Sequence, residues 1–129
     1  MAAVYIDTSA LGRVLLGEPD AAAVRQALGN FEQHVTSRLM RTELRRLALR
    51  EGLLEDAEQL LAGVALIPLD DATLSLAETV TPVTVATLDA IHLATALKLA
   101  SAGILNTVMT YDARLASAVE LHGLRVAAP

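Results

Sequence analysis

The chain has no cysteine, no tryptophan, one phenylalanine and two tyrosines. Missing thiols exclude disulfides, thiolate-bound metals and a cysteine nucleophile. Missing rings leave packing to Leu, Val and Ala, so an apolar fraction of 53% must build an aliphatic core. That fraction is too high for a disordered chain. No apolar run approaches the ~18 residues of a membrane helix. The longest candidate, Leu60 to Leu69, contains Pro68. A secretory signal core is absent, because Asp7 interrupts the first apolar residues. The expectation is a soluble, cytoplasmic protein with no membrane contact. His34, His92 and His122 show no zinc-ligand spacing to one another.

Positive charge is also scarce: one lysine, Lys98, and nine arginines leave a net charge of −5. A basic surface usually supplies nucleic-acid affinity, so this balance is unexpected for an RNA- or DNA-binding chain. Bound divalent cations would offset most of that charge, and arginine grips phosphate with two parallel hydrogen bonds. Arg38, Arg41, Arg45, Arg46 and Arg50 fall in one stretch. Its default reading is a solvated helix face, with an RNA contact second.

At 129 residues the chain forms one domain, 1–129, around a single sizeable core. Val4 to Ile6 reads as a strand, with Thr8 or Ser9 capping a helix to about Leu16. Asp20 caps a helix to about Leu28, and His34 to Thr36 is a short strand. Ser37 opens a helix over Arg38 to Glu51, and another spans Leu54 to Ala62. Val64 to Pro68 is a buried strand, and Asp70 and Asp71 begin a helix to about Glu78. A long helix covers Thr87 to Ser101. Val108 to Thr110 is a strand, Ala113 to Leu121 a helix, and Leu124 to Ala127 a last strand. Short apolar strands alternating with helices predict an α/β fold with a parallel sheet covered on both faces.

Four acids stand out. Asp7 and Asp112 end the first and a late strand, where open α/β sheets bind ligands. Each is equally readable as a helix cap or a dipole-favoured first-turn acid. Glu43 shares a helical stripe with Met40 and Leu47, and Asp89 shares one with Leu93 and Ala96. A solvated face remains the default for Glu43, and a first-turn position after Thr87 explains Asp89. A carboxylate aimed inward at a cation is the alternative in both cases. Like charges ~4 Å apart repel by roughly 4 kcal/mol at an effective dielectric near 20. Convergence of all four would therefore imply a hard divalent cation held by oxygens. His92, three residues after Asp89, reads mainly as a packed histidine with one satisfied nitrogen, and second as a partner that supports the acids from the same face.

Four segments in order then resemble the PIN domain, more narrowly a VapC-type toxin of a toxin–antitoxin module. They are Tyr5-Ile6-Asp7-Thr8-Ser9-Ala10-Leu11, Thr42-Glu43-Leu44, Leu88 through Ala96, and Thr110-Tyr111-Asp112-Ala113-Arg114-Leu115. The resemblance covers essentially the whole chain. It implies a PIN-like three-layer α/β/α fold with a mostly parallel, short-stranded sheet flanked by helices. It also implies an Mg²⁺- or Mn²⁺-dependent endoribonuclease with an acidic quartet at Asp7, Glu43, Asp89 and Asp112. A VapB-type antitoxin, an RNA substrate and a homodimer are the implied partners. Many relatives carry an arginine shortly before the third acid, where this chain has Val85-Ala86-Thr87. A haloacid-dehalogenase-like phosphatase would need a second aspartate where Ser9 stands, and a receiver-type phosphoacceptor an acid where Ile6 stands. The non-enzymatic alternative is a PIN-fold binding module that acts through its protein partner.

Overall fold

The computed structural model describes residues 3–129. β1 (Ala3–Ile6) leads to α1 (Thr8–Leu15) and α2 (Ala21–Leu28), and β2 (Gln33–Ser37) to α3 (Arg38–Glu51) and α4 (Leu54–Leu61). β3 (Ala65–Ile67) precedes α5 (Asp71–Thr79) and α6 (Thr87–Ser101). β4 (Leu105–Met109), α7 (Ala113–Leu121) and β5 (Arg125–Ala127) complete the chain. The strands form one sheet in the order β3-β2-β1-β4-β5, and every pairing is parallel.

β1 has no polar face because both of its faces are covered. All four of its residues are buried, and they alternate between two cores. Val4 and Ile6 join Leu11 of α1, Val24 of α2, Met40 and Leu44 of α3, and Leu61 of α4. Ala3 and Tyr5 join Leu93 and Ala96 of α6 with Leu115 and Val119 of α7. The period-two geometry of a strand thus assigns alternate side chains to the two helical layers. α5 packs on α6.

The chain passes from β1 outward through β2 to β3, then returns to the other side of β1 to lay down β4. Strand order therefore reverses between β1 and β4, and a crevice opens beyond their carboxyl ends. Three details differ from the sequence expectation. Asp7, not Thr8 or Ser9, is the N-cap of α1, because its carboxylate reaches the Ser9 amide at 3.4 Å. Thr87 is the first helical residue of α6, and Ala86 takes the N-cap position. Thr110, expected within the fourth strand, lies just past its end.

Candidate active site

Asp7 sits in the reversal crevice, 4% exposed, with its N–H donating to the Met109 carbonyl at 3.0 Å. Two hydroxyls fix its carboxylate. Ser9 Oγ donates to Asp7 Oδ2 at 2.8 Å, and Thr110 Oγ1 donates to the same oxygen at 2.9 Å. Each hydroxyl also accepts a backbone amide from beyond β4. Ser9 Oγ takes the Tyr111 N–H at 2.8 Å, and Thr110 Oγ1 takes the Asp112 N–H at 3.0 Å. The ends of β1 and β4 are thereby laced together through Asp7.

Asp112 caps α7, its Oδ1 accepting from the Arg114 and Leu115 amides at 2.9 and 3.0 Å. The capping reading is thus correct for Asp7 and Asp112, yet it engages only one oxygen of each. Glu43 projects from α3 and is half-buried, so it is not on a solvated face. Its Oε1 accepts from Thr8 Oγ1 and from His92 Nε2, both at 2.7 Å. Asp89, in the first turn of α6, is half-buried and makes no hydrogen bond to any described residue.

His92 joins the acids to one another. It is 1% exposed, its Nε2 lies 3.6 Å from Asp7 Oδ1, and its Nδ1 lies 2.6 Å from the Tyr5 hydroxyl. The reading of His92 as a packed histidine with one satisfied nitrogen is therefore wrong: both nitrogens are engaged. Thr8, Ser9 and Thr110 were missed as site residues too. A hydroxyl beside a strand-end acid is too common to single out alone. The usable signal was repetition, with Ser9 two residues after Asp7 and Thr110 two before Asp112.

The electrostatics reflect the clustering. Burial raises the Asp89 pKa above the ordinary carboxylate value, and the charges of Asp112, Asp7 and Glu43 raise it further. Burial alone would depress the His92 pKa, but its bond to Glu43 and the charges of Asp7, Glu43 and Asp89 carry it above the ordinary value. Burial alone would raise Glu43, but the His92 bond and charge and the Thr8 bond hold it below its ordinary value.

Among the described residues, no three acid or imidazole groups stand together as a ready-made cation cage. The donor set nevertheless suits a hard cation. Among the described residues, Asp7, Glu43 and Asp112 each commit one carboxylate oxygen to hydrogen bonds and keep the other out of any. Among the same residues Asp89 keeps both free of hydrogen bonds, and burial together with the charges of Asp112, Asp7 and Glu43 raises its pKa. Holding a cation requires these free oxygens to close on it.

Arg41 donates to Glu58 at 2.9 Å, and Arg45 pairs with the same carboxylate. Arg46 and Arg50 are exposed.

The PIN domain family model matches residues 4–121. Ribonuclease VapC47 of Mycobacterium tuberculosis is 40% identical, over 98% of this chain and 96% of its own. Ribonuclease VapC46 of the same species is 38% identical over 100% of this chain and 99% of its own. The crystal structure of M. tuberculosis VapC20, a sarcin–ricin loop cleaving toxin, superposes with a TM-score of 0.74. It covers 98% of this chain and 99% of that one at 16% identity, a likeness of fold. The reversal crevice, the acids gathered in it and these full-length similarities lead to one assignment: the chain belongs to the PIN-domain family, among the VapC ribonucleases.

Proposed function

We propose that this protein is an Mg²⁺-dependent endoribonuclease, with Mn²⁺ as a substitute, and the toxin of a VapBC-type toxin–antitoxin module. The observation that carries the reading is Asp89. It is a half-buried carboxylate without a hydrogen-bond partner among the described residues, and its pKa is raised by burial and by three neighbouring acids. Asp7, Asp89 and Asp112 would hold the cation, with Glu43 a ligand directly or through water. When bound, the cation supplies a lowered pKa for water and a counter-charge for the phosphate undergoing cleavage.

The chain's own residues do the rest. Ser9 and Thr110 orient Asp7 by holding Oδ2 and leaving Oδ1 available. With no cysteine and no evident Ser/His/Asp set in the sequence, direct attack by water on phosphorus is preferred to a covalent route. Arginines and helix N-termini near the crevice would supply phosphate affinity. The protein is read as a cytoplasmic homodimer whose activity a VapB-type antitoxin suppresses.

Asp7→Asn and Asp89→Asn test the reading. Each folded variant should cleave RNA at least ~100-fold more slowly, and EDTA should abolish wild-type cleavage. EDTA-insensitive cleavage by the wild type, retained in both variants, would reject it.

A further inference from the structure

His92 is the buried titratable group that the proposed chemistry leaves unused, and its surroundings are specific. It stands at the junction of the two helical layers, on α6, yet it bonds a carboxylate carried by α3. Behind it is Tyr5, a fully buried tyrosine in the central strand whose neighbours Val4 and Ile6 are aliphatic. A phenol is an O–H donor at neutral pH. The Tyr5 oxygen lies 2.6 Å from His92 Nδ1; donation of the O–H to that nitrogen leaves the ring proton on Nε2, the nitrogen that faces the acceptor-only Glu43 carboxylate. Nε2–H then donates to Glu43 Oε1 at 2.7 Å. Thr8 Oγ1 donates to the same oxygen from α1. Two donors from different elements converge on one carboxylate oxygen, and Oε2 has no hydrogen-bond partner among the described residues.

We infer that Tyr5 and His92 form a positioning relay that fixes Glu43 for the cation, with Tyr5 setting the imidazole tautomer and His92 holding Oε1 so that Oε2 stays free. The inference rests on the proposed metal-dependent reading and extends it to residues that touch neither cation nor RNA. Burying a tyrosine and a histidine with no such task would cost stability that an aliphatic pair would not. Outer groups that orient a metal-binding side chain typically change metal affinity about 10- to 100-fold when removed.

The geometry of amide side chains separates this role from a merely structural one. In His92→Gln the amide nitrogen reaches the place of Nε2 and still donates to Glu43. In His92→Asn it reaches only the place of Nδ1. Both substitutions are neutral, polar and smaller than imidazole, so a packing role would penalise both. Calorimetry with Mg²⁺ alone should show His92→Asn weakened at least about tenfold and His92→Gln within about threefold of wild type. The kcat of RNA cleavage should fall in His92→Asn with KM little changed. In a Glu43→Ala background His92→Asn should have no further effect on either quantity.

Equal losses in the two His92 variants, or a full His92→Asn effect without Glu43, would overturn the relay. A metal-free NMR measurement keeps it testable apart from the proposed function. The wild-type ring should carry its proton on Nε2, with that resonance displaced in Glu43→Ala and the Nδ1 partner lost in Tyr5→Phe. If wild-type protein binds no Mg²⁺, the proposed function fails while this spectrum still decides the relay. A ring protonated mainly on Nδ1, or an Nε2–H signal indifferent to Glu43→Ala, would end it.

Discussion

Thr110 links the ends of β1 and β4 through a single hydroxyl. Its hydroxyl donates to Asp7 Oδ2 and accepts the Asp112 N–H, and it is 1% exposed. Thr110→Val keeps the shape and strands the Asp112 amide, which should cost about 1–3 kcal/mol. Urea denaturation measures this, and an unchanged midpoint would show that the hydroxyl is dispensable. RNA cleavage should fall as well, because Asp7 loses one of two groups that orient it. The four acids were legible as candidates because strand ends and apolar helical stripes are visible in a linear pattern. Their hydroxyl supports left only a spacing, Ser9 after Asp7 and Thr110 before Asp112, which acquires its meaning once β1 and β4 pair. His92 was undervalued for the same reason. Its partners Tyr5 and Glu43 come from a different strand and a different helix layer.

Element by element, the helices follow local signals closely. α3 occupies the predicted Arg38–Glu51, and Gly52 ends it in the left-handed region at φ 70°. Its core side carries Met40, Leu44 and Ala48, so the packing that secures the helix also sets the direction of Glu43. Leu44→Ala should destabilise by about 2–5 kcal/mol in chemical denaturation. A smaller loss would mean that α3 is held by something other than this core. α5 offers a pH test. Asp70, its N-cap, accepts from the Thr73 amide at 2.8 Å and faces Lys98 Nζ at 3.1 Å. The Thr73 bonds, then Lys98, lower its pKa from 3.8 to about 2. A depressed carboxylate stabilises the fold above its unfolded pKa and ceases to do so as pH falls through the folded value. The advantage of wild type over Asp70→Ala should therefore be constant near neutrality and vanish between about pH 4 and pH 2. An advantage that persists below pH 2 would contradict the assignment. The order of strands in the sheet was beyond local reading. Pairing of β1 with β4 is decided by two cores assembled from both ends of the chain.

Across the whole molecule, a net charge of −5 is distributed unevenly. Glu58 neutralises part of the arginine stretch, while four acids share the crevice where strand order reverses. The mutual repulsion of these acids opposes folding, and the proposed cation would relieve it. Thermal unfolding of wild type and Asp89→Asn, with Mg²⁺ titrated from a metal-free start, addresses that balance directly. Without metal, Asp89→Asn should be at least as stable as wild type, because one like charge is gone. Cation at ~100 times its dissociation constant should then stabilise wild type by about 2.7 kcal/mol and leave the variant nearly unmoved. A wild type indifferent to Mg²⁺, or a variant that responds equally, would contradict the account.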